Sequence, residues 1–184
     1  IGNGGNVSDY DNLFKKYAAE SGYDWRLLAA ISYQESHFNP NAVSWAGARG
    51  LMQIMPRIGA AYGISQSQLA NPETSIKTAV RILKDLDDTL KNTITDDDER
   101  LKFMLACYNG GIGHISDARR LAKKHGLNPN KWYGNAERGV MMKSDPKYYR
   151  SPEVKYGYMR GRETTDYVSK ILNHYNRIKA QYPA

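Results

Sequence analysis

The sequence predicts an all-α chain. Apolar residues recur three and four positions apart through successive stretches. Acids and Ser placed to start helices, and Gly and Pro placed to end them, punctuate those stretches. No segment alternates apolar and polar residues as a half-buried strand does. With 184 residues, 41% hydrophobic and 24% charged, the chain can build one sizeable core and is too apolar to stay disordered. No apolar run is long enough to span a bilayer.

Each element has its own justification. The chain begins at Ile1 rather than Met, and its Gly/Asn-rich opening makes residues 1–8 a linker remnant before a single domain over 9–184. Ser8, Asp9 and Asp11 suit a helix start, Leu13, Phe14, Tyr17 and Ala18 form its stripe, and Gly22 ends it. Asp24 caps a second helix carrying Leu27, Leu28 and Ile31, which must stop before Asn39-Pro40. Residues 39–50 read as loop and 51–55 as one or two helical turns. Pro56 then opens a short helix that Gly63 closes. Asn71-Pro72 starts a long helix to about Leu90 with Ile76, Val80, Leu83 and Leu86 inward, and acidic 96–99 starts the next, broken by Gly110-Gly111. A helix over 112–124 stops at Gly126. Residues 127–160 are an irregular insertion rich in Tyr, Lys and Arg, and a last helix spans about 162–180.

Charge is uneven. Residues 1–98 carry 9 Lys/Arg against 12 Asp/Glu, while residues 99–184 carry 17 against 7, which suggests an anionic partner for the second half. The stretch 119–162 interleaves cations with Trp132, Tyr133, Tyr148, Tyr149, Tyr156 and Tyr158. That mixture suits single-stranded nucleic acid, but no nucleic-acid motif accompanies it, and such aromatics also stack on sugars. The alternative is a solvated basic loop whose tyrosines pack on the domain. The lone Cys107 excludes an internal disulfide and a Cys-based zinc site, and the four histidines lack zinc-ligand spacing, so no metal and no cofactor are expected. Asp96-Asp97-Asp98-Glu99 lacks the alternation and central Gly of a calcium loop.

Three segments carry chemistry. Glu35 continues the Leu28–Ile31 face of its helix, where burial disfavours the charged carboxylate and suits a general acid; the alternative is a solvated Glu at a fraying end. Gln53 sets an amide in the apolar run 50–56, which a sugar or a helix corner could satisfy. Tyr108-Asn109 before Gly110-Gly111 reads alone as a helix C-terminus.

Taken in order, Glu35-Ser36, the run Gly50-Leu51-Met52-Gln53-Ile54-Met55-Pro56, Ala106-Cys107-Tyr108-Asn109-Gly110-Gly111, and Tyr167 after Glu163-Thr164 resemble the catalytic domain of the soluble-lytic-transglycosylase family. The match is strong over about residues 10–112 and resumes at 163–168. Within the family it looks most like the C-terminal domain of membrane-bound lytic transglycosylase F-like proteins. The resemblance implies a goose-type-lysozyme-like fold and cleavage of the MurNAc-β-1,4-GlcNAc bond of peptidoglycan without water, leaving 1,6-anhydro-MurNAc ends. A hydrolytic lysozyme of the same fold and a non-catalytic peptidoglycan-binding module are the alternatives. Carried over, Glu35 is the single catalytic acid and base, and Ser44 bonds the N-acetyl group or its neighbour. Gln53 and Met55 line the groove, Tyr108 and Asn109 hold the sugar, Glu163 bonds sugar hydroxyls, and Tyr167 bonds Glu35 or the N-acetyl group. Cys107 stands where the family usually has a small residue. The resemblance also implies peptidoglycan strands as partner, no nucleic acid, no transmembrane segment within this chain, a monomer, and a place in the bacterial cell envelope, periplasmic or at the outer membrane.

Overall fold

The computed structural model describes residues 5–183, so the first four residues of the expected linker lie outside it. Among the described residues the structure is helical with no sheet, and no helix is long and apolar enough to cross a membrane. The chain divides into two compact units. One holds the described residues up to Ile82 and from Lys170 onward, and the other is Leu83–Ser169.

In the first unit α1 spans Asp11–Ser21 and α2 spans Trp25–Ser36. Ser8 does not cap α1. Tyr10 holds the cap position without a side-chain bond, and the buried Asp11 carboxylate turns back to accept from the Val7 and Ser8 N–H groups and the Ser8 hydroxyl, each at 2.9 Å. Ser8 thus serves the turn before the helix, where one carboxylate satisfies three donors at once. Gly22, at φ 84°, closes α1, and the Asp24 carboxylate accepts from the Arg26 N–H at 2.9 Å as a cap should.

The turns expected over 51–55 are not helical. Gly50 at φ 84° and Gln53 at φ 49° take the chain off the helical path, and Arg49 forms isolated antiparallel bridges to both Val43 and Ile54. The Met52 N–H finds the Ser75 hydroxyl at 3.1 Å instead of a helical carbonyl. Pro56 then opens α3 (Pro56–Ala61), a 3-10 turn covers Ser67–Ala70, and α4 runs Pro72–Leu90 with Ile76, Val80 and Leu83 buried.

In the second unit the Asp96 carboxylate caps α5 (Asp97–Gly110), α6 spans Ile112–Lys124, and α9 (Gly161–Gln181) begins here and ends among the residues of the first unit. The insertion 127–160 contains a wide turn at Trp132–Ala136, then α7 (Glu137–Met142) and α8 (Pro146–Tyr149). Trp132 is fully buried, edge-on to Phe103 at 5.4 Å, with its backbone N–H on the Glu99 carboxylate at 2.8 Å. Gly139 lets α7 press against α6, because a Cβ there would stand 2.1 Å from the Ala118 carbonyl oxygen.

Asp117 on α6 organises this insertion. Its fully buried carboxylate accepts from Lys143 Nζ and Arg120 Nη2, each at 2.5 Å, and from the Lys155 and Tyr156 N–H groups, each at 2.8 Å. Lys143 is itself fully buried, so the pair is a desolvated ion pair in which both carboxylate oxygens are served by several donors. Burial works to raise the Asp117 pKa, and donation from Lys143, the two backbone N–H groups and Arg120 outweighs it, so the net shift is downward.

Asp117→Ala strands the Lys143 charge and is expected to cost about 3–5 kcal/mol in urea unfolding. A depressed folded-state pKa stabilises above the unfolded carboxylate value and loses that stabilisation as pH falls through the folded one. Wild type should therefore lose stability below the ordinary carboxylate range, and Asp117→Asn should show less of that acid dependence in melts across pH.

Candidate active site

The structure places Glu35, Ser44, Gln53 and Met55 in the first unit and Tyr108, Asn109, Glu163 and Tyr167 in the second. Glu35 is half-buried in the last turn of α2, where the carbonyl end of the helix dipole disfavours added negative charge. Its neighbour Ser36 donates to the Leu51 carbonyl at 2.8 Å, and Ser32, one turn earlier, donates to the same oxygen at 3.1 Å. Two hydroxyls on one face of α2 thus bind the Glu35 end of the helix to the segment 50–56. Beyond Ser36 the chain turns sharply through His37 (φ 51°) and Phe38 (φ 62°). These two successive left-handed residues cost on the order of 1 kcal/mol each. Ring packing offsets the strain: Tyr33 stands 4.7 Å from His37 and 5.8 Å from Phe38, and Phe38 stands 6.4 Å from Phe14.

Gln53 holds the loop from within. Its Nε2 donates to the Ala42 carbonyl at 3.1 Å and the Gly50 carbonyl at 3.0 Å, so the amide that the sequence singled out first serves backbone. Ser44 shapes a tight turn. Its N–H donates to the Ala48 carbonyl at 2.9 Å, its hydroxyl accepts from the Ala48 N–H at 3.0 Å, and Trp45 stands 85% exposed at the tip. Met55, half-buried, is the residue before Pro56 at the start of α3. Gly50 is obligatory. At φ 84° it is left-handed, and a Cβ would stand 2.1 Å from the Leu69 carbonyl oxygen.

In the second unit Tyr108 and Asn109, both half-buried, lie in the last turn of α5. Asn109 Oδ1 accepts from Thr164 Oγ1 at 2.7 Å, which ties that turn to the start of α9 beside the exposed Glu163. Gly110 permits the approach, since its Cβ would meet Met159 Cε at 2.5 Å and Thr164 Oγ1 at 3.0 Å. Tyr167, one turn further along α9, is only 5% exposed. Ser36 and Thr164 are positioning residues to which the sequence reading assigned no role. Each adjoins a residue it did single out and carries a hydroxyl at a helix end, the signal that could have found them.

Cys107 is buried and its thiol is pushed up to about 12 by that burial, so it is no nucleophile at neutral pH. Among the described residues no group of His, Cys, Asp and Glu could hold a metal ion. The cations of 119–162 are partly consumed within the unit: Arg119 serves Pro129 and Asn130, Arg120 serves Asp117 and Glu153, and Lys124 serves Ser151 and Glu153. Of its aromatics, Trp132 is buried, whereas Tyr133, Tyr156 and Tyr158 are exposed.

Known proteins resemble this chain in sequence and fold. Residues 12–130 match the family described as the transglycosylase SLT domain. The chain is 41% identical over 167 residues to a membrane-bound lytic murein transglycosylase F of Pseudomonas putida, covering 91% of this chain and 33% of that protein. It is 43% identical over 165 residues to the protein of the same description in Serratia proteamaculans, covering 90% and 32%. The 70 kDa soluble lytic transglycosylase of Escherichia coli superimposes with a TM-score of 0.60 at 25% identity, over 95% of this chain and 24% of that one. The chain therefore spans about a third of the length of these curated relatives.

Gly50→Ala is expected to lose at least about 3 kcal/mol of unfolding free energy, from the close approach to Leu69 and the left-handed backbone together. Ser36→Ala, which leaves Ser32 on the Leu51 carbonyl, should lose about 1 kcal/mol. Chemical denaturation of the two variants beside wild type checks both.

Proposed function

The chain belongs to the transglycosylase SLT family, and from that membership we propose that it is a peptidoglycan lytic transglycosylase, cleaving the MurNAc-β-1,4-GlcNAc bond without water. The observation that carries the reading is the pair of hydroxyl bonds from Ser32 and Ser36 to Leu51, which joins the end of α2 bearing Glu35 to the segment 50–56.

One carboxyl suffices for this chemistry. Glu35, protonated, gives its proton to the glycosidic oxygen as the bond from C1 breaks and its electrons pass to that oxygen. The substrate's own N-acetyl oxygen shares the positive charge that develops at C1, a substrate-assisted route that needs no second carboxylate. Glu35, now a carboxylate, removes the proton of the C6 hydroxyl, and O6 closes on C1. The proton taken from O6 replaces the one that left on the oxygen of the departing sugar, so Glu35 returns to its starting state, and the intramolecular attack has a large effective concentration.

The other residues act on the substrate through atoms their contacts leave to them. The Ser44 hydroxyl accepts within its turn and keeps its proton for the N-acetyl group. Gln53, whose nitrogen is on the loop, offers its oxygen, and Asn109, whose oxygen is on Thr164, offers its nitrogen. Met55 and Tyr108 supply apolar and aromatic contact, Glu163 bonds sugar hydroxyls, and Tyr167 supports the protonation cycle. Residues 9–184 act as one catalytic domain and as a monomer. The place of action is the cell envelope, periplasmic or at the outer membrane, where the strands lie.

Glu35→Gln keeps the shape of the side chain and removes its proton chemistry. Muropeptide release from purified peptidoglycan should fall by about 10²–10⁴-fold with the helical circular dichroism retained. Unchanged release would sink the catalytic assignment.

A further inference from the structure

The first unit holds a cavity of about 590 Å³ that no step above uses, walled by the loop after Glu35 and by the 65–70 segment. That volume is in the range of small-molecule sites. Arg49 is the one charged side chain among its lining residues. Its backbone is clamped: the N–H donates to the Ile54 carbonyl and the carbonyl accepts the Ile54 N–H, both at 3.0 Å. Its guanidinium is clamped too. With the Gln66 amide oxygen turned toward it, that oxygen accepts from Nη2 at 2.6 Å and from Nε at 3.0 Å.

Gln66 is neutral, so this clamp orients the guanidinium without cancelling its charge. Among the described residues Arg49 forms no salt bridge, whereas Arg26, Arg100 and Arg120 each pair with an aspartate. A fixed, uncompensated cation is a receptor for an anion, and the planar fork fits a carboxylate best. The remaining lining suits a peptide: the Ser65 and Ser67 hydroxyls, 3.3 Å apart, and Asn41 can serve amide groups, and the half-exposed Val43 can cover a small apolar side chain.

We infer that this cavity receives a free carboxylate of the peptide stems on a peptidoglycan strand, with Arg49 as its anchor, so that the chain reads stems as well as sugars. The inference rests on the peptidoglycan reading of the site. It makes Arg49 a determinant of substrate choice rather than of the bond-breaking step.

The test compares cleavage of stem-bearing strands with cleavage of the same strands stripped by an amidase, for wild type, Arg49→Gln and Arg49→Lys. Stripping exposes the lactyl carboxylate, so the two sources of carboxylate separate. On stem-bearing strands Arg49→Gln should raise KM about tenfold at unchanged kcat, with partial recovery in Arg49→Lys, and stripped strands should show no such difference. Equal losses on both substrates, a loss confined to stripped strands, or no loss at all would overturn the inference. Calorimetry with a free tripeptide stem adds a readout independent of cleavage: wild type binds and Arg49→Gln does not. Val43→Asp, which sets a repelling carboxylate on an exposed position of the rim, should abolish that binding even if Arg49→Gln fails to fold. Absent cleavage by wild type with stem binding intact would refute the enzymatic reading and leave the receptor standing; absent stem binding by wild type would refute the receptor.

Discussion

The Leu51 carbonyl oxygen is the point on which the proposed catalytic end of the first unit depends. Ser32 and Ser36 both donate to it from α2, so the helix that carries Glu35 cannot shift without leaving a buried carbonyl unserved. The segment that offers this carbonyl is itself locked. Gly50 turns where only glycine fits, Arg49 pairs with Ile54, and Gln53 ties Gly50 to Ala42. A carboxyl that must first give a proton and then take one benefits from such a setting, because the cost of positioning it has been met in folding rather than at each turnover.

The second unit uses a different device for a related end. Here a long insertion, poor in regular structure, has to be held to α6, and a buried aspartate does it with four donors drawn from three separate stretches of the unit. Two of those donors are backbone N–H groups at 155–156, so the charge network sets the path of the chain and not only the place of a side chain. Apolar replacements of such pairs are often as stable, so what the ion pair contributes here is a unique path for the insertion rather than stability.

Helix existence and order were legible from periodicity and punctuation. Asp24, Gly22, Pro56, Asn71-Pro72 and Asp96 mark the boundaries that the structure shows. The segment 51–55 was not, because its apolar run has helical composition while its path is decided by tertiary partners, the Ser75 hydroxyl and the Arg49 bridges. Ser8 misled for a similar reason: it has the chemistry of a cap, but Asp11 captured it. Asp117 and Lys143 were invisible as a pair, being 26 residues apart and looking like any surface charges. Of the site, the residues named from motifs fall at helix ends or in the loop after α2, except Tyr167, which lies in the second turn of α9. What the sequence could not give was which atom of each is already engaged, as with the nitrogen of Gln53 and the oxygen of Asn109.

The central claim is that O6 of the sugar, and not water, closes on C1. Digesting purified peptidoglycan with the wild-type chain in water enriched in oxygen-18, followed by mass spectrometry of the new ends, addresses it directly. The account predicts ends one water lighter than reducing ends and free of label. Reducing ends carrying oxygen-18 at C1 would contradict it and make the chain a hydrolase.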